Sequence, residues 1–534
     1  MTADLDPRWG AGAVAVVIVA TLVIGTWGLR FSRTTSDFFV ASRSVRPTLN
    51  ASAIGGEYVS AASFLGVAGL VLVYGAEMLW YPVGWTAGYL VLLALVAAPL
   101  RRSGAYTLPD FAEARLASPQ VRGLCAVLVV AIGWIYLIPQ FQGASLTLTA
   151  VAGAPGWLGG VVVALVVLAG VASGGMRSIT FVQAFQYWLK LTALLLPLAV
   201  LLVVWVGDGR PTGAGEGGSG VTGPGVADDW SMPFGGSIAG LADGPQGLYV
   251  TYSLMVATFL GAMGLPHVVV RFYTNPDGRA ARRTTLVVLG LLGVFYLLPP
   301  VYGALGRVYA GALTPSDGAD TVVLQLPSLM LDGVLENVLT ALVTAGAFAA
   351  FLSTSSGLTI AVAGVLSQAV TRRQAARPAV SGTGQGRRPR FGPVAAFRLG
   401  AVLAATVPCA AALAAPDLPV ARSVGMAFAV AASTFCPLLV LGIWWRGLTD
   451  VGALAGLVVG GIGSGVGVVA ALVVEGGSGG WTVALLTQPA AWSVPLAFAV
   501  MVGVSRATPG RVPAYTDRFM VRLHTPEVLD LDRG

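Results

Sequence analysis

Along nearly the whole chain, apolar runs of about twenty residues alternate with short segments in which Arg, Asp, Gly and Pro collect. At about 1.5 Å of rise per residue, a helix of about 20 residues crosses the ~30 Å hydrocarbon core of a bilayer. The pattern therefore predicts an all-α integral membrane protein of about thirteen spans. Helices are required because lipid offers the backbone no hydrogen-bond partner, and the runs are too long and too uniformly apolar for barrel strands. The first run, from Trp9 to Leu29, follows acidic Asp4 and Asp6 and precedes no small-residue cleavage pattern, so it reads as a retained span rather than a signal peptide.

Three runs carry polar residues at membrane depth. In GGEYVSAASFLG, residues 55–66, Gly55 and Gly56 weaken the helix, and Ser60 and Ser63 share one face. A break there would free carbonyls to line a cavity and hold a small hard cation; the other reading is a Gly/Ser face for close helix packing. In FLGAMGLPHVVVRF, residues 259–272, Gly261, Gly264 and Pro266 interrupt a second span, since Pro266 removes a helix donor and crowds the preceding turn. In AGAFAAFLSTSSGLTIA, residues 345–361, Ser353, Thr354, Ser355 and Ser356 supply hydroxyls, which either act as hard oxygen ligands or, as expected for Ser355 and Ser356, bond back to their own helix.

Two Gly/Pro-interrupted spans, each opening a set of five, are the pattern of a transporter with inverted repeats. This divides the chain into a first helix and loop (1–49), a first repeat (50–207), a Gly/Asp/Pro-rich external loop (208–244), a second repeat (245–445) containing a basic loop (371–393), and two further spans with a tail (446–534). Charge tests the span count. Of 31 basic residues, 26 fall beside loops after odd-numbered spans or in the tail, among them Arg30, Arg33, Arg43, Arg46, Arg101, Arg102, Arg282 and Arg283. The positive-inside rule then places the N-terminus outside and the C-terminus in the cytoplasm of a plasma-membrane protein.

Composition agrees: 56% of the 534 residues are hydrophobic, 10% are charged, and the mean hydropathy is +0.79. The net charge of +7 is explained by a rim facing anionic lipid and needs no nucleic acid. Cys125, Cys409 and Cys436 lie in predicted helices without metal-ligand spacing and read as packing residues. A channel would need a filter or repeated polar rings, and a membrane enzyme an acid/base or metal constellation, which two histidines and few intramembrane acids do not supply.

The motifs GGEYVSAASFLG, GLPHVVVRF at 264–272 and AFAAFLSTSSGLT at 347–359 together resemble the sodium/solute symporter family, and within it the acetate and monocarboxylate permeases. The resemblance covers about residues 35–445 and implies the leucine-transporter type of fold with its broken helices. It implies a secondary symporter that couples sodium, or a proton, to uptake of a small monocarboxylate such as acetate, pyruvate or propionate. The alternative within the family is another small solute, such as proline or a vitamin acid. It places sodium on the backbone carbonyls of Gly56, Val59 and Ala350 and the hydroxyls of Ser353 and Thr354, and implies no other cofactor. Many family members carry an aspartate where SITFVQ has Phe181, while Gln183 is retained, so a second sodium is not expected. Proline-transporting relatives carry bulky aromatics where this chain has Thr258 and Ala262, which points to a small substrate.

The remaining intramembrane polar residues admit two readings each. Glu57, an acid that acetate-type relatives also carry, either handles a proton or cation or accepts backbone bonds freed by the break. Lys190, the one lysine in the chain, either snorkels to the interface or binds a substrate carboxylate. His267 either titrates or is a hydrogen-bonded helix-end residue, and Gln140 and Gln142 either line the pathway or bond between helices. Substrate or pathway candidates are thus Glu57, Ser60, Ser63, Gln140, Thr258, Gly261 and Gly264.

Overall fold

The computed structural model describes residues 7–30, 41, 44–211, 245–310, 313, 318–375, 392–414, 420–473 and 480–527. Most of the loops expected at 208–244 and 371–393 lies outside the described residues, as do Arg33 and Arg43. Among the described residues there is no strand, and eleven helices are long and apolar enough to cross a membrane. The difference from thirteen lies in Ala62–Arg102 and Leu158–Gly207, each of which the sequence divides between two spans. Each carries a glycine outside helical backbone, Gly75 at φ 71° and Gly175 at φ 59°, a conformation that only glycine adopts without strain.

The helices that build the centre are α1 (Pro7–Leu29), α2 (Pro47–Tyr58), α3 (Val67–Tyr74), α4 (Pro119–Ala152), α5 (Leu158–Gly207), α6 (Pro245–Gly264), α7 (Pro266–Phe272), α8 (Gly333–Ala375) and α9 (Val420–Trp444). Burial sorts them. In the most apolar windows of α8 and α9, 83% of residues are buried, against 22% in α1, whose Val16, Val19 and Val23 are exposed on a face suited to lipid. α8 packs along α5, α6 along α9, and α2 against α5.

The two interruptions have different causes. α6 stops at Gly264, Leu265 is extended (φ −70°, ψ 118°), and Pro266 opens α7, as expected of a proline that suits a first helical turn and pushes its predecessor out of helix. The other break does not fall at Gly55 and Gly56. Both glycines lie inside α2, which runs to Tyr58; the chain is extended at Val59 (ψ 93°) and resumes through a π-helical segment, Ala62–Gly66, into α3. The glycines serve close packing, the other reading of this segment: a Cβ on Gly56 would collide with the Gln183 carbonyl, and one on Gly55 would lie 2.8 Å from the Tyr187 ring. Glu57 is therefore in the last turn of an intact helix and not at an unwound centre.

Arg115, counted with the charged rim, is buried. Its guanidinium donates to Gly442 O and Trp445 O at 3.0 Å each, satisfying carbonyls left open at the end of α9, and to Thr516 Oγ1 at 3.3 Å in the C-terminal helix Thr516–His524. The three cysteines are free and buried.

Candidate functional site

The end of α2 leaves carbonyls without helical partners, and the side chains that meet them come from α5 and α8. Lys190, in α5, is fully buried. Its ammonium donates to Gly56 O, to Val59 O at 2.8 Å and to Ser353 Oγ at 2.9 Å, so all three of its donors are used. Thr354 Oγ1 donates to Glu57 O at 2.7 Å and sits 3.4 Å from Val59 O, while Ser353 Oγ donates to Ala350 O at 3.1 Å. The five residues to which the resemblance assigns sodium thus belong to one hydrogen-bonded set, and Lys190 is at its centre. Neither expected role of Lys190 describes this geometry: it does not reach the interface, and its partners are oxygens of the chain itself.

Sodium can be tested against this set. Carbonyl and hydroxyl oxygens suit a hard cation. However, the ammonium already holds three of them, and a second monovalent cation about 4 Å away would meet about 4 kcal/mol of repulsion at an effective permittivity of about 20. With Lys190 in this position, its ammonium holds three of the oxygens that a sodium ion would use.

Beside this set lies a second buried network. Glu57 Oε2 accepts from Arg271 Nε at 2.7 Å, and both side chains are almost wholly buried. Arg271 also donates through Nη1 to Thr180 Oγ1 at 2.8 Å and through Nη2 to Gln183 Oε1, while Gln183 Nε2 donates to Ser353 O at 2.8 Å. The carboxylate is seated against Gly357 of α8, where any Cβ would collide with it. Glu57 thus pairs with a guanidinium, a partner neither of its expected roles included. Arg271, the second-last residue of the motif GLPHVVVRF, is absent from the sequence-derived candidates because charge counting alone places it with the rim. The available signal was that an intramembrane acid calls for a partner and that this motif brings a cation to membrane depth.

Gln140 Oε1 accepts the Ala61 N–H at 3.0 Å and so caps the restart of the chain after the break, and Ser63 Oγ pairs with Tyr296 OH at 2.8 Å. Thr258, Gly261 and Gly264 are not drawn into these networks. Thr258 Oγ1 bonds back to Leu254 O at 2.9 Å, and Gly261 and Gly264 let α6 close onto the Phe428 and Ala431 carbonyls of α9. Ser355 does not bond back to its helix as expected, for its buried Oγ has no hydrogen-bond partner among the described residues. Phe181 lies edge-on to Trp27 of α1, their ring centres 5.5 Å apart.

An aromatic cluster adjoins the first break. Tyr58 meets Tyr89 (4.8 Å between ring centres) and Phe428 (6.3 Å); Trp85 meets Phe428 (5.8 Å) and Tyr296 (5.7 Å); Tyr136 meets Phe428 (6.0 Å) and His267 (5.2 Å). Through His267, in the first turn of α7, it reaches the second break as well. Trp85 Nε1, Tyr89 OH and both ring nitrogens of His267 are buried without a hydrogen-bond partner among the described residues. His267 is therefore not the hydrogen-bonded helix-end residue expected.

Two interrupted helices converging on buried polar networks within an all-α membrane domain define a secondary transporter of the leucine-transporter type. The overall fold matches the solved structure of a Na+-coupled sialic acid symporter in a substrate-bound outward-open state, at a TM-score of 0.63 and 12% identity over 93% of this chain and 98% of that one. The profile of the Sodium:solute symporter family matches residues 38–460, and the chain belongs to that family. It is 31% identical over 507 residues, 91% of its length and 89% of the relative's, to the monocarboxylic acid transporter of Corynebacterium glutamicum. It is 30% identical over 446 residues, 83% of its length and 82% of the relative's, to the uncharacterized symporter YwcA of Bacillus subtilis.

Proposed function

We propose that this chain is a cation-coupled symporter that carries a small monocarboxylate, such as acetate, pyruvate or propionate, into the cell across the plasma membrane. The observation that carries the reading is the aromatic cluster beside the two breaks. Each buried polar atom left unpaired costs about 1–3 kcal/mol, and four such atoms around one cluster fit a site whose partners arrive with the substrate. Indole N–H, phenol O–H and imidazole N–H suit a carboxylate, and the Phe428 ring suits a short alkyl group. The likeness to a monocarboxylic acid transporter supports the same substrate class.

In this reading residues 50–207 and 245–445 are the two repeats, and their relative movement exposes the cluster to one side at a time. The charge asymmetry supports an external N-terminus and a cytoplasmic C-terminus. The coupling ion is sodium or a proton. Uptake of radiolabelled acetate, pyruvate, propionate and proline into proteoliposomes tests the reading, with sodium and proton gradients imposed separately. Accumulation of a monocarboxylate above its external level is expected under one gradient. Mere equilibration under both would indicate a facilitator or channel, and preferential accumulation of proline would move the substrate class.

A further inference from the structure

We propose that the Lys190 ammonium is the resident cation of the α2–α8 junction: in this chain it takes the place the family resemblance gives to sodium, and sodium is not bound there. The inference rests on the reading of the chain as a cation-coupled symporter and deepens it. Its basis is the number and origin of the contacts. Lys190 has three N–H donors, and the acceptors are Gly56 O at the end of α2, Val59 O in the break, and Ser353 Oγ on α8. It is fully buried, so no solvent shares its charge.

The network offers a sodium ion no acid free of a cationic partner. The acid nearest in the network, Glu57, is paired with Arg271 of α7, and α8 contributes hydroxyls and carbonyls to the set but no charged side chain. A positive charge held by carbonyls and a hydroxyl from two helices is what a bound sodium ion would provide. Here it is tethered to α5, and it does the ion's structural work of tying the broken α2 to α8. With that place filled, the proton is favoured among the two coupling ions the sequence allows.

The test reads sodium binding directly, without transport, on the purified full-length protein in detergent, by tracer-sodium titration and by the sodium dependence of the thermal midpoint against choline. Wild type is expected to show no saturable sodium binding, and substrate affinity in wild type is expected to be the same in sodium and choline, where a coupled ion typically shifts it about 5- to 150-fold. Lys190→Ala frees the oxygens, so saturable sodium binding should appear in that variant and vanish again when Ser353→Ala and Thr354→Ala are added. Saturable binding in wild type that Ser353→Ala abolishes would overturn the proposal, as would a folded Lys190→Ala that binds no sodium. If Lys190→Ala does not fold, the comparison of wild type with Ser353→Ala decides alone. Failure of the transport reading looks different: neither gradient concentrates any acid, whatever the binding assay reports.

Discussion

Lys190 and Arg271 are buried cations in adjoining networks, and they are held in opposite ways. Arg271 faces an anion, the Glu57 carboxylate, and its fork is completed by Thr180 and Gln183. Lys190 faces only oxygens of the chain, two carbonyls and a hydroxyl. The first charge is cancelled within its own contacts; the second is merely solvated by dipoles, as an ion in a binding site is. A planar fork locked onto a carboxylate and two further acceptors behaves as a staple between α2, α5 and α7. A compact ammonium on a flexible stem is instead a point charge that tethers α2 and the break to α8. One charged centre thus holds its two cations by different chemistry.

The largest expected effect separates the two. Arg271→Met leaves Glu57 buried without its counter-charge, and breaking a buried pair from one side costs about 3–5 kcal/mol. Unfolding midpoints in detergent should fall steeply, and Glu57→Gln added to Arg271→Met should recover part of the loss. Glu57→Gln alone is also expected to cost stability. If Glu57 were the ion-coupling group, that variant would instead keep its stability and change only its ion profile. An unaltered midpoint in Arg271→Met would remove the staple from this account.

Lys190→Met keeps the stem and deletes the charge. No opposite charge is left stranded, only carbonyl and hydroxyl oxygens, so the expected loss is smaller, about 1–3 kcal/mol. Lys190→Arg should not restore wild-type stability, because a planar guanidinium cannot fit three acceptors arranged for a compact ammonium. A loss in Lys190→Met as large as that in Arg271→Met would erase the distinction between the two cations.

How much of this was legible in the sequence follows the range of the interactions. The apolar runs, the kink-forming Pro266 and the three motifs are local, and reading them gave the helical membrane fold and the segments that meet. The Gly55-Gly56 pair reads equally as a break or as a packing face, because glycine's helix-weakening effect is local, whereas what decides between them, the Tyr187 ring and the Gln183 carbonyl of α5 pressed against α2, is not. The Glu57–Arg271 contact spans 214 residues and the Lys190–Gly56 contact 134, and neither register is readable from spacing. Gly261 and Gly264 are candidates because they interrupt a span with Pro266, and Thr258 because the resemblance places bulkier residues there in relatives, yet α9 fills the space beside the two glycines.

Two glycines allow the staple to be strained without replacing either charged residue. A Cβ at Gly56 meets the Gln183 carbonyl and one at Gly357 meets the Glu57 carboxylate, so Gly56→Ala and Gly357→Ala each overpack the seam, at about 1–3 kcal/mol. Their partners differ. Gly357→Ala displaces the carboxylate itself, so it should lose most of its effect when Arg271 is already Met, while Gly56→Ala should add to Arg271→Met nearly in full. A double-mutant cycle measures this. Equal coupling of both glycines to Arg271 would mean that the helices shift as a unit.

The smallest effect concerns the break itself. Gln140 Oε1 accepts the Ala61 N–H, so α4 supplies the bond that an uninterrupted helix would have supplied from within. Gln140→Leu preserves much of the volume and leaves that buried N–H without its acceptor, at a cost of about 1–3 kcal/mol, part of which a shift of the short π segment can relieve. Global stability should therefore move less than in any variant above, while amide hydrogen exchange around Ala61 should speed up selectively, since local opening at the break no longer sacrifices a hydrogen bond. Exchange at the Lys190 contacts should stay as protected as in wild type if the ammonium alone ties α2 to α8. Joint loss of protection at Ala61 and at the end of α2 would show instead that the glutamine cap and the lysine tether open together, and the charged centre would then have to be treated as one unit rather than as a staple and a tether.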